Sequence, residues 1–133
     1  MTAFVDTSAF MAFLNGDDRY HKEAVSIWRA LLEKDEPLVS NNYILVETIA
    51  LLQHRFGFDA ARKLQDNVIP LISIHWVEKT VHEQAIAALM TAHRRRLSLV
   101  DCSAMVTMRA LGIDHIFTFD PHFTDYGFTA LSQ

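Results

Sequence analysis

Disulfides are excluded first. The chain has one cysteine, Cys102, so no internal bridge can form, and this suits a reducing compartment. No apolar run approaches the roughly 18–20 residues that cross a bilayer, so no membrane partner is expected. The amino-terminal stretch Met1-Thr2-Ala3-Phe4-Val5-Asp6 has neither a basic region nor a signal-like hydrophobic segment, and a cytoplasmic location is expected. A basic excess is missing too. Twelve Lys plus Arg against sixteen Asp plus Glu give a net charge of −4, so overall charge does not hold nucleic acid, although a local basic patch or a metal-assisted phosphate site stays open. Three prolines and four glycines make no linker or low-complexity segment, and there is no internal repeat. Half of the 133 residues are hydrophobic and 21% are charged, an ordinary globular composition for a single domain over residues 1–133.

What is present is an alternation of short apolar runs and longer amphipathic ones. Thr2–Val5, Pro37–Ser40, Leu71–Ile74 and His115–Phe119 read as buried strands, and Phe128–Leu131 as a short edge strand. Helices are expected over Thr7–Leu14, from an Asp17 or Asp18 cap to about Lys34, and from an Asn41 or Asn42 cap over Tyr43–Phe56. Further helices are expected over Ala60–Ile69 behind Asp59, from the capping box Thr80-Val81-His82-Glu83 to Arg95 or Arg96, and from near Asp101 to Leu111 before Gly112. Strands alternating with helices favour a three-layer α/β/α sandwich around a mostly parallel sheet of four to five strands.

Four acids lie in or beside these apolar segments: Asp6, Glu47, Asp101 and Asp120. Glu47 has Tyr43, Ile44, Ala50 and Leu51 at helical neighbour positions, and Asp101 has Leu97, Ser98, Ala104 and Met105, so neither has a local cation. Each acid has a plain account of its own. Asp101 serves as a helix cap, Asp6 and Asp120 as turn residues, and Glu47 as the partner of a distant arginine. Taken together, their strand-end placement brings them to the crevice where open α/β sheets bind ligands. Carboxylates crowded there repel unless a cation joins them, and oxygen-only ligands suit Mg²⁺ or Mn²⁺. Such an ion activates water for attack on a phosphodiester.

The same residues carry a family resemblance. Val5-Asp6-Thr7-Ser8, Val46-Glu47, Leu99-Val100-Asp101-Cys102-Ser103-Ala104 and Thr118-Phe119-Asp120-Pro121-His122-Phe123, in that order over nearly the whole chain, resemble a PIN domain. The length resembles the VapC-type toxins of type II toxin–antitoxin pairs. The resemblance implies a parallel sheet of order 3-2-1-4-5 and a Mg²⁺- or Mn²⁺-dependent ribonuclease acting on RNA. Asp6 and Asp101 become the principal metal ligands, and Glu47 and Asp120 complete the catalytic set directly or through water. Thr7 or Ser8 is expected to hydrogen-bond the site, and Ser103 to do so beside Asp101. A homodimer and a cognate antitoxin are implied as well. One position departs: many relatives carry an acid two residues after the Asp120 equivalent, and here it is His122. That residue reads either as a surface histidine or as a contact to metal or phosphate, and Asp125 is a spare acid or a turn residue.

Arg94-Arg95-Arg96 closes the expected fifth helix. It reads both as a solvated last turn that complements the helix dipole and as a phosphate-gripping, RNA-binding patch. No two of the seven histidines have a zinc-site spacing, and Cys102 reads as a small buried thiol. Phe117, Phe119, Phe123 and Phe128 read as core. Two rival functions differ in kind. One is a non-catalytic metal-binding scaffold. The other is a phosphotransfer or receiver module with Asp6 as nucleophile, which lacks a second Asp at position 8 and a late Lys.

Overall fold

A computed structural model describes residues 1–132. Strand β1 (Ala3–Val5) runs through the centre, and none of its side chains is exposed. It is flanked by β2 (Leu38–Asn41) and β4 (His115–Phe117), with β3 (Ser73–His75) and β5 (Thr129–Ala130) outermost. All pairings are parallel and the order is β3-β2-β1-β4-β5, as the resemblance implies. A parallel sheet covered on both faces needs apolar residues on both, so its strands read as continuous hydrophobic runs.

Around the sheet lie α1 (Thr7–Leu14), α2 (His21–Glu33), α3 (Asn42–Phe56), α4 (Phe58–Lys63), α5 (Lys79–Ala92), α6 (Leu99–Leu111) and the short α7 (His122–Asp125). Helix α1 packs on α2 and α3, and α3 packs on α6, which in turn packs on α5. The core joins Phe4, Phe10, Phe117, Ile116, Ile44, Leu52 and Met108 across these layers. Phe117, Phe123 and Phe128 are buried in it, as expected, while Phe119 is only partly buried.

Several boundaries differ from the sequence reading. Helix α2 starts at His21, because Asp18 closes a turn on the Tyr20 amide (2.8 Å) instead of capping a helix. The expected helix 60–69 starts at Phe58, then loosens into a π turn (Leu64–Val68) and a 3₁₀ turn (Ile69–Leu71), because Pro70 supplies no amide hydrogen. That turn takes up Leu71, so β3 begins only at Ser73. The Thr80–Glu83 capping box does not form: α5 begins at Lys79 behind Glu78. The same helix ends at Ala92, where His93 takes a left-handed conformation (φ 51°). The three arginines therefore lie in the connection to α6 rather than in a last helical turn. No helix among the described residues is long and apolar enough to cross a membrane.

Candidate active site

The register of β1 against β4 creates the site. Val5 lies opposite Phe117, so the chain leaves both strands with Asp6 beside Thr118. Asp6 is the residue before α1, and its carbonyl accepts from the Ala9 and Phe10 amides while its side chain makes no cap. The carboxylate instead accepts through Oδ2 from the Ser8 and Thr118 hydroxyls, both at 2.9 Å. Thr118 Oγ1 also accepts from the Asp120 amide (3.0 Å), and Ser8 Oγ from the Phe119 amide (3.0 Å). Two hydroxyls thus lock the first acid to the strand end that carries the fourth. Thr118 is the residue that sequence reasoning missed. A hydroxyl two residues before an acid at a strand end was its only signal.

Asp101 sits in the first turn of α6, three residues after Ser98. Ser98 is the cap: its hydroxyl accepts from the Asp101 amide, and Asp101 Oδ2 accepts from the Ser98 amide, each at 3.0 Å. Asp101 is therefore the acidic partner in a capping box rather than the cap itself. One of its oxygens is used and the other is available. Asp120 accepts from the His122 amide through Oδ1 at 2.9 Å. Glu47 makes no ion pair among the described residues, so no distant arginine is bound to it.

Asp6, Glu47, Asp101 and Asp120 line one cavity of about 360 Å³, together with Thr7, Ser8, Asp18, Tyr20, Arg55 and Phe119. Five of these residues are acids and one, Arg55, is a base. Arg55 stands eight residues after Glu47, two turns along the same helix face. Thr7 is buried and its hydroxyl accepts from Thr48 (3.2 Å), which ties α1 to α3 next to Glu47. Tyr20 stacks on Phe119 with ring centroids 4.7 Å apart, forming an aromatic wall.

The crowding shows in the acids themselves. Burial pushes the Asp6 carboxyl from 3.8 up to about 6, and the Asp101 charge pushes in the same direction against the Thr118 and Ser8 hydrogen bonds. Asp101 is also raised, first by burial and then by Asp120, with the Ser98 hydrogen bonds and His122 opposing. Carboxylates made uncomfortable by one another are stabilised by a shared cation. His122 adds a further sign. It is 14% exposed, not a surface histidine, and one of its ring nitrogens lies with oxygens of Asp101 and Asp120 all within 4.8 Å of one another. Its Nδ1 is buried without a partner among the described residues. A convergent set of oxygen donors with an orphaned imidazole nitrogen fits a divalent ion.

Other expected site residues lie elsewhere. Ser103 follows Asp101 by two positions, about 200° around the helix, so it faces away. Its Oγ donates to the Val100 carbonyl (2.7 Å) and accepts from Asn41 Nδ2 (3.3 Å), with no hydrogen bond to a site acid. Arg94, Arg95 and Arg96 do not line the cavity. Arg94 donates to the Tyr126 hydroxyl (3.3 Å) and lies 3.6 Å from Asp125, so the spare acid has an arginine partner. Arg95 and Arg96 are exposed. Cys102 is buried and its thiol is pushed up by burial, as a structural cysteine should be.

Residues 3–129 match the PIN domain. The chain belongs to the PIN-domain family. VapC20 of Mycobacterium tuberculosis, a 23S rRNA-specific endonuclease, is 32% identical to this PIN domain over 126 residues, 94% of each chain. The crystal structure of VapC20, a sarcin-ricin loop cleaving toxin, superposes with a TM-score of 0.88 over all of both chains at 29% identity. FitAcB from Neisseria gonorrhoeae shares the fold, with a TM-score of 0.71 at 13% identity over 99% of this chain and 97% of its own. The likeness to VapC20 along nearly the whole sequence makes this a VapC-type PIN domain.

Thr118 gives this PIN domain a testable feature. Thr118→Val keeps the shape of the side chain and removes a hydrogen bond to ionised Asp6. Such bonds are worth about 1.5–3 kcal/mol. The Asp6 carboxyl should rise further, and cleavage near neutral pH should drop by about tenfold or more. In a pH–rate profile the acidic limb should move to higher pH. An unmoved limb would separate Thr118 from the ionisation of Asp6.

Proposed function

We propose that this chain is a Mg²⁺- or Mn²⁺-dependent endoribonuclease, the toxin of a toxin–antitoxin pair, that hydrolyses phosphodiester bonds in ribosomal RNA. The observation that carries the reading is the convergence of Asp6, Glu47, Asp101 and Asp120, from four separate parts of the chain, on one cavity. Asp6, Asp101 and Asp120 would hold the ion, and Glu47 would complete the set directly or through water. When bound, such an ion lowers the pKa of a coordinated water and orients it for in-line attack.

The rest of the work falls to side chains of the protein. Ser8 and Thr118 hold Asp6 by one oxygen and leave the other for the cavity. The Ser98 box holds Asp101 in the same manner. Arg55 supplies the cation that an RNA phosphate needs at an otherwise acidic cavity. Exposed Arg95 and Arg96 extend the grip on the backbone outside it. A 23S ribosomal RNA loop is the proposed target, because 32% identity to VapC20 runs along 94% of both chains. The toxin reading brings with it a cytoplasmic location and an antitoxin that covers the cavity. Homodimer formation has support in Leu32 on α2 and Val46 on α3, which are apolar and exposed.

The deciding experiment incubates the protein with ribosomes and with deproteinised 23S RNA, with Mg²⁺ or Mn²⁺ and with EDTA. Discrete cleavage that needs the ion and is lost in Asp6→Asn and in Asp101→Asn is the expected result. Cleavage that persists with EDTA, or in both variants, would overturn the metal-dependent reading. An ion-induced rise in Tm with no cleavage of any RNA would favour the scaffold instead.

A further inference from the structure

We propose that His122 is a nitrogen ligand at the divalent-ion site and that it tilts the site from Mg²⁺ toward Mn²⁺. This rests on the reading of the acidic cavity as a metal centre. The imidazole is largely buried, yet neither of its nitrogens makes a hydrogen bond among the described residues. Nδ1 is enclosed without a partner, and Nε2 faces Asp120 Oδ1 at 3.8 Å, beyond hydrogen-bond range. Unsatisfied buried polar atoms are rare in native folds, because each costs about 1–3 kcal/mol. Here the ring stands where two carboxylates already converge, with one donor atom from each of Asp101, Asp120 and His122 within 4.8 Å of the others. An octahedral ion with bonds near 2.1 Å holds its ligands roughly 3 Å apart as neighbours and 4 Å apart across the ion. Small side-chain movements close that gap. The backbone assists, since the His122 amide donates to Asp120 Oδ1 at 2.9 Å and fixes both side chains in a single turn.

The chemistry of selection follows from replacing oxygen by nitrogen. Mg²⁺ prefers carboxylate and water oxygens and gains little from imidazole. Affinity for nitrogen donors rises from Mn²⁺ onward through the first-row divalent ions. A neutral ring also contributes no negative charge where a carboxylate would, which weakens the pull on a hard ion. Mg²⁺ therefore loses more than Mn²⁺ does.

The test titrates the purified full-length chain with Mn²⁺ and records electron spin echo modulation. The wild-type protein should show coupling of the ion to an imidazole nitrogen. His122→Gln and His122→Asp should both bind Mn²⁺ without that coupling, which separates His122 from the other six histidines. Competition between Mn²⁺ and Mg²⁺ should show a preference for Mn²⁺ that falls by at least about tenfold in His122→Asp, the lower end of the cost of losing a metal-site partner. Circular dichroism checks the fold of both variants. Bound Mn²⁺ with no nitrogen coupling, coupling that persists in both variants, or an unchanged preference would overturn the role of His122 and leave the metal centre standing. Failure of the wild-type protein to bind Mn²⁺ at all would sink both readings together.

Discussion

Asp6→Asn is expected to stabilise the protein in EDTA at neutral pH while lowering RNA cleavage by at least about 10²–10³-fold, the scale of removing one preorganised electrostatic group. The two effects share a cause. Asp6 is 4% exposed, and its carboxyl stands at about 6 in the fold against an ordinary 3.8. An acid raised in this way favours the folded state in its protonated form. Its contribution is fully present below pH 3.8, declines as the pH rises, and is lost above about pH 6. The difference between pH 3 and pH 8 is on the order of 3 kcal/mol for this group. Asparagine carries no charge to bury. Its carbonyl oxygen can still accept from Ser8 and Thr118, so the local hydrogen bonds survive. It also ends the repulsion between the Asp6 and Asp101 charges. Thermal denaturation in EDTA should therefore show a Tm gain for Asp6→Asn that is present at pH 8 and shrinks to nothing near pH 4. Added Mn²⁺ should reverse the ranking, because only the wild-type carboxylate binds the ion and releases its proton to do so. A variant that is less stable than wild type at pH 8 in EDTA would contradict the burial of a strained acid.

The trade of stability for function at Asp6 explains why some features could be read in the sequence and others could not. An acid ending a buried strand is costly unless something compensates it, and that anomaly is visible in Phe4-Val5-Asp6-Thr7 without coordinates. The same holds for Glu47, which lacks a helical partner. Alternating strands and helices suggest a covered parallel sheet, but the order 3-2-1-4-5 came with the resemblance and not with periodicity. What escaped the sequence is whatever depends on pairing at long range. Thr118 reaches Asp6 across 112 positions, and its only local signal is a hydroxyl two residues before an acid. In the sequence Asp18 reads as a helix cap, because a cap is what an acid before an amphipathic run usually provides. The fold uses it for a turn and places it on the cavity wall. In the sequence His122 reads either as a surface histidine or as a contact to metal or phosphate, and only the turn of α7 brings it to Asp101 and Asp120. The triple arginine reads as a helix end, but α5 stops earlier, at the left-handed His93, and the Arg94 side chain is engaged with Tyr126 and Asp125.

Asn41→Ala is expected to cost about 2–4 kcal/mol of stability and to reduce cleavage by about 10²-fold, although residue 41 does not line the cavity. Asn41 is fully buried at the end of β2. Its Oδ1 caps α3 by accepting from the Ile44 amide at 2.9 Å. Its Nδ2 reaches Ser103 Oγ at 3.3 Å and Thr107 Oγ1 at 3.2 Å on α6. One side chain thus fixes the start of the helix that carries Glu47 to the helix that carries Asp101. Alanine leaves the Ile44 amide unpaired in a fully buried position, and that orphan donor accounts for most of the loss. The two hydroxyls lose less, since each already donates its proton to a backbone carbonyl, Ser103 to Val100 and Thr107 to Ser103. Asn41→Ser separates the roles. A serine can restore the cap on α3 but cannot bridge to α6. It should recover a large part of the stability and little of the activity, because a shift of about 1 Å between Glu47 and Asp101 is enough to spoil a preorganised site. Ser103→Ala tests the same link from the other side and should cost about 1 kcal/mol, as it removes an acceptor and leaves the Asn41 amide its second partner. If Asn41→Ser regains stability and full activity together, the bridge from α3 to α6 has no part in positioning the acids, and the hydrogen bonds of Asn41 act on folding alone.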